Sequence, residues 1–129
     1  MLNLTIEPRV EYLYAHITGD FDLEISKNIT AQIYEAAKEN NLSKIFADFS
    51  EVQTPLSFSE RLEYVQFLAD ENLKYILHLK ADVKIAYLLS PQTISPDKFG
   101  ETYAINRAVS ICADTNRDKC LEWLEIEQE

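Results

Sequence analysis

Residues 44–69, KIFADFSEVQTPLSFSERLEYVQFLA, change character halfway along. Lys44 to Phe49 form a short apolar run, the pattern of a strand buried on both faces. Pro55 marks a loop. From Ser57 to Ala69 the apolar residues Leu62, Val65, Phe67 and Leu68 recur at helical spacing. A strand, a loop and a helix in one short stretch are the front half of a strand–helix–strand unit, so the question is whether the unit repeats.

It repeats toward the C-terminus. The apolar pattern continues through Leu73, Ile76 and Leu77, expected as a separate helical piece after Asp70-Glu71-Asn72. Residues 83–89, VKIAYLL, are the most apolar strand of the chain. Ser95-Pro96 then offers two helix-start signals together, a serine for the N-cap and a proline for the first turn, and the helix is expected to run to about Arg107. Residues 108–113, AVSICA, read as a fifth strand. A last helix is expected over about 116–127, with Trp123 and Leu124 packed on the sheet.

Toward the N-terminus the pattern differs. Residues 2–7 alternate apolar and polar, and residues 10–17 are rich in β-branched and aromatic types. Pro8-Arg9 leaves room only for a tight connection, so these two strands are expected as an antiparallel hairpin. Gly19-Asp20 breaks the second strand. Ile25, Ile29, Ile33 and Ala37 then form one stripe of a helix capped by Asp22 and stopped by Asn40-Asn41. The order is ββαβαβαβα over a single domain, residues 1–129. This is an α/β fold with a five-stranded mixed sheet, parallel except for the N-terminal hairpin, and about four helices. The patterns leave open which sheet face each helix covers.

The chemistry is sparse. The 22 acidic and 12 basic residues give a formal net charge of −10, which repels phosphate backbones and anionic headgroups. Nucleic acid is therefore not expected as a partner, and no apolar run is long enough for membrane insertion. No signal peptide is read, and Cys112 and Cys120 are expected as reduced thiols, so a cytoplasmic location is expected. With glycine only at 19 and 100, phosphate-cradling loops cannot be built. Asp20, Asp22 and Glu24 lack the spacing of a calcium loop and suit the start of a helix instead. His16 and His78 have no second ligand nearby. No catalytic residue, metal or cofactor is assigned.

Two features admit both a structural and a functional reading. Ser57 and Glu60 form S-x-x-E, the capping box, but a serine at a helix start also suits a modification or ligand site. In the second helix, Leu62, Val65, Leu68 and Ala69 suffice to face the sheet. Tyr64, Phe67 and Tyr75 lie partly off that stripe, either buried under the 70–80 segment or forming a groove or dimer contact.

Three stretches carry a resemblance. ITGDFDLEISKNI (17–29), KIFADFSEV (44–52) and CLEWL (120–124) are similar to the first-helix turn, third-strand ending and closing helix of STAS domains, the family of anti-sigma-factor antagonists. In phospho-switch members the strand ending is followed by Asp-Ser-Ser-Gly, whose first serine a partner kinase modifies. Here those positions hold Leu56, Ser57, Phe58 and Ser59, so the chain resembles the single-domain STAS-like proteins that lack the motif. The resemblance implies a non-enzymatic, regulatory interaction domain of bacterial origin, without a working serine switch. It would act on a protein partner, or as a homodimer, through the second helix. The alternative is a carrier of a small apolar or neutral molecule, held where residues 48–57 and 90–95 would meet beyond the strand ends.

Overall fold

The computed structural model describes residues 2–94, 99–107 and 109–126, with the side chains of residues 99 and 100 left aside. Two strands open the chain, β1 (Asn3–Pro8) and β2 (Leu13–Thr18), followed by α1 (Leu23–Glu39). The alternation then runs β3 (Lys44–Glu51), α2 (Phe58–Leu79), β4 (Lys84–Leu89), α3 (Phe99–Ile105), β5 (Ser110–Asp114) and α4 (Arg117–Trp123). The five strands lie side by side in sequence order. β1 pairs antiparallel with β2, and every later pairing is parallel. The expected mixed sheet is the one found.

Register sorts the two faces. Leu13, Ile45, Ile85 and Ile111 align across the four parallel strands, as do Ala15, Ala47, Tyr87 and Ala113 one layer on. These rows meet Ile29, Ile33 and Ala37 of α1, Val65 and Leu68 of α2, and Ala104 of α3 in one core. Tyr12, Phe46, Ala86 and Leu88 point the other way and meet Cys120 and Leu124 of α4. Three helices therefore share one face, and among the described residues α4 stands on the other. As expected, Leu124 is fully buried there; Trp123 is half-buried, with the Lys84 ammonium 4.6 Å from its ring centre.

Several boundaries move for identifiable reasons. β2 begins at Leu13 rather than Val10, because Arg9 donates to the Tyr12 carbonyl and Arg9–Tyr12 form the hairpin turn. Pro8 ends an edge strand, where its missing N–H costs no ladder bond. Gly19, at φ 111°, makes the turn from β2 toward α1. Asp22 caps α1 as expected, accepting from the Ile25 N–H at 2.9 Å. The α1 stripe is rotated, with Ser26 buried and Ile25 partly exposed. The break expected after Asp70-Glu71-Asn72 does not occur. α2 is one helix of 22 residues, because Asn72 faces inward and accepts a hydrogen bond from the Tyr34 hydroxyl at 2.8 Å. The expected start of α3 at Ser95-Pro96 lies outside the described residues.

Candidate functional site

The chain leaves the carboxyl ends of β3 and β4 through two loops that are tied together. The Val52 carbonyl accepts from the Ser90 hydroxyl at 2.8 Å and from the Thr93 hydroxyl at 2.7 Å. Thr54 accepts from the Phe21 N–H at 3.1 Å, which joins the turn before α1 to the same knot. Arg61, in the first turns of α2, donates to the Thr93 carbonyl at 3.0 Å. The segments 48–57 and 90–94 therefore do meet beyond the strand ends, and residue 95 of the expected second segment lies outside the described residues.

Beneath the knot lies a half-open crevice of about 80 Å³. Phe49, Leu89 and Ala113 form its floor at the ends of three strands, and Val65 and Leu68 of α2 form its roof. Phe21 and Leu56 stand on the loop side, and Arg61 and Glu101 supply the charged groups of the wall. Glu101 is already engaged, accepting from the Ala113 N–H at 2.6 Å.

Tyr64 and Tyr87 also line the crevice and end a chain of hydroxyls. Thr30 donates to the Ser26 carbonyl at 2.9 Å, so its single hydrogen is spent. In the 2.8 Å contact between Thr30 and Tyr64 the tyrosine must then donate, and in the 2.8 Å contact between Tyr64 and Tyr87, Tyr87 must donate. Burial pushes both phenols above their ordinary range, most strongly for Tyr87, so both stay neutral at physiological pH.

The residues singled out from sequence scatter around this site. Ser57 is exposed at the N-cap of α2. Its hydroxyl accepts from the Glu60 N–H at 3.2 Å, while Glu60 accepts from the Ser57 N–H at 2.9 Å. Both halves of the capping box are present. Ser57→Ala is therefore expected to lower stability by about 1 kcal/mol. Ser57→Asp should cost distinctly less, since aspartate caps well and its charge suits the helix start. Urea melts of the three proteins check this; equal losses for both variants would contradict it.

Tyr64, Phe67 and Tyr75 do not form one outward surface. Tyr64 is committed to the hydroxyl chain. Phe67 is half-buried near α1, with the Lys27 ammonium 6.0 Å from its ring centre. Tyr75 is only 4% exposed, packs edge-on to Tyr34 and donates to the Leu42 carbonyl at 2.6 Å. The outward apolar residues of α2 are instead Phe58 (64% exposed), Leu73 (56%) and Leu77 (67%). Leu73 and Leu77 belong to the apolar pattern legible in the sequence. Their direction was not legible, because it depends on where α1 crosses α2.

A polar cluster on the α4 side of the sheet had no sequence signal. Asp48 is buried and accepts from the Tyr14 hydroxyl at 2.7 Å, the Ser50 hydroxyl at 2.6 Å and the Ser50 N–H at 3.0 Å, with Arg117 at 3.4 Å. Burial alone would raise its pKa, but the hydrogen bonds from Ser50 and Tyr14 and the nearby His16 outweigh it and hold the carboxyl below its ordinary range. A carboxylate so held is a poor proton acceptor near neutral pH; its role is to tie β2, β3 and α4 together. His16 meets Glu51 at 2.6 Å beside this cluster. Cys112 and Cys120 belong to the α4 core. The Cys112 thiol and burial push the Cys120 thiol well up, away from the reactive thiolate. No group of three His, Cys, Asp or Glu among the described residues could hold a metal ion, and no helix among them is long and apolar enough to cross a membrane.

No protein-family model matches the chain, and no curated protein is significantly similar to it. Solved structures are similar in fold. An anti-sigma factor antagonist from Mycobacterium paratuberculosis superposes with a TM-score of 0.62 at 12% identity, over 97% of this chain and 95% of that one. The anti-sigma factor antagonist SpoIIAA in its unphosphorylated form gives 0.57 at 13% identity, over 95% and 96%. The Bacillus cell fate determinant SpoIIAA in its phosphorylated form gives 0.53 at 12% identity, over 93% and 97%. The architecture is the SpoIIAA-like, STAS-type fold, as the three sequence stretches implied.

Proposed function

We propose that this chain is a non-enzymatic regulatory domain that binds another protein through the start of α2 and the loop before it. The observation that carries the reading is the combination of an anti-sigma-factor-antagonist fold along nearly the whole chain with an exposed helix start at Ser57-Phe58. The domain spans residues 1–129, is bacterial in origin and works in the cytoplasm. The net charge of −10 favours a partner of opposite charge over a second copy of the chain.

Ser57 acts as a helix cap and not as a phospho-switch. The capping box accounts for the hydroxyl, and Leu56 and Ser59 stand where the switch motif has aspartate and glycine. The intact mass of protein purified from its source cells should show no phosphate; an addition that disappears in Ser57→Ala would restore the switch.

Affinity capture with chemical cross-linking tests the surface. A partner cross-linked to the parent chain should be retained by Val10→Asp, at the exposed hairpin turn, and lost by Phe58→Asp. Capture that is indifferent to Phe58→Asp would reject the α2 start as the contact.

A second reading is a small-molecule carrier, favoured by the apolar crevice where the two loops meet. Its volume of about 80 Å³ ranks this reading second, because sites for drug-sized ligands and cofactors are roughly 300–1,000 Å³.

A further inference from the structure

We infer that the crevice under the first turns of α2 is an anchor pocket for one aliphatic side chain of a partner segment flanked by basic residues. This rests on the protein-interaction reading and names the partner's chemistry.

Size selects the occupant. A dry cavity of roughly 150 Å³ holds benzene, six heavy atoms. At about 80 Å³ the crevice encloses roughly half as much, which is the branched end of a leucine, isoleucine or valine. A free molecule that small has too few atoms to bind tightly, since even the best ligands gain only about 1.5 kcal/mol per heavy atom. A side chain borne on a protein avoids that ceiling, because the surrounding surface contributes too. Single buried anchors in well-packed pockets are where interface energy concentrates.

The lining agrees. Phe49, Val65, Leu68 and Leu89 offer apolar contact, and the hydrogens of Tyr64 and Tyr87 are spent along the hydroxyl chain. Glu101 is engaged with the Ala113 N–H and Arg61 with the Thr93 carbonyl. A polar group seated against those four apolar side chains would lose water and gain no partner from them.

Charge selects the flanks. Exposed Asp20 and Asp22 bracket Phe21, Glu60 precedes Arg61, and exposed Glu63 precedes Tyr64. Against them stand Arg61 and Lys27, the latter bonded to Glu63. Among the described residues the mouth is net acidic within a Debye length of roughly 8–10 Å, so basic residues beside the anchor are attracted.

The test uses nitrogen-15-labelled full chain and synthetic peptides followed by NMR titration. Acetyl-Lys-Lys-Leu-Lys-Lys-amide should shift the amides of Leu56, Tyr64 and Ala113. It should bind about fivefold or more tightly than the same peptide with a central glycine, the expected return for burying a leucine side chain part-way. The peptide with glutamates for lysines should bind more weakly than either. Ala113→Leu, which fills the floor, should reduce the leucine peptide to the glycine level. Equal affinity of the leucine and glycine peptides, or shifts that map away from the crevice, would overturn the inference. That comparison uses the unaltered chain, so it stands even where Ala113→Leu fails to fold. If Phe58→Asp abolishes partner capture while the two peptides bind alike, the pocket inference falls and the interaction reading survives. If capture is also indifferent to Phe58→Asp, both fall.

Discussion

A chain that stops before Asn116 is expected to lose cooperative folding. Three helices cover one face of the sheet, and among the described residues only α4 covers the other. Removing it strips Phe46, Ala86, Leu88 and Tyr12, all now buried, of their cover. Each large apolar side chain returned to water forfeits about 1.5–3 kcal/mol, against a total stability of about 5–15 kcal/mol for a domain of this kind. Asp48 also loses Arg117, and Lys84 loses the Trp123 carbonyl it caps at 2.8 Å. Circular dichroism and proton NMR of the truncated chain check this. The milder Leu124→Ala should leave a folded protein destabilised by about 2–5 kcal/mol. A truncated chain that melts cooperatively near the parent midpoint would show that the sheet face is covered by something else.

Asn72→Leu should destabilise the protein by about 1–3 kcal/mol although leucine is a good helix former of similar size. The reason is Tyr34, whose buried hydroxyl donates to the Asn72 side chain and would lose its acceptor. Burial pushes the Tyr34 phenol well above its ordinary range, so it keeps its hydrogen and needs that acceptor. Tyr34→Phe alone should cost a comparable amount by stranding the amide. The double variant should recover much of the loss, since a pair replaced together leaves no orphan. Urea denaturation of the four proteins measures the coupling. Losses that simply add would mean that the two groups do not depend on each other.

This pair also marks a limit of sequence reading. Asp70-Glu71-Asn72 looks like a helix break because three polar residues interrupt an apolar pattern, yet two of them, Asp70 and Glu71, are not in the core and the third is buried. A buried amide can be recognised only with its partner, and Tyr34 stands 38 residues away. The candidate site behaves likewise. Ser57 with Glu60 was legible because a capping box is local, contained within four consecutive residues. Tyr64 and Tyr75 looked like surplus aromatics until Thr30 and the Leu42 carbonyl, brought by other segments, took up their hydroxyls.

The sequence by itself determined the order of elements, the antiparallel opening and the parallel remainder. Those follow from periodicity and turn chemistry, which are written within a few residues of one another. It also determined the caps at Asp22 and Ser57, for the same reason. Only the tertiary structure decided that α4 stands opposite the other three helices, that Asp48 is held by β2 and α4, and that Phe58, Leu73 and Leu77 face outward in place of Tyr75. Those depend on which segments pack together, and a side chain's burial is a property of its neighbours as much as of its own chemistry.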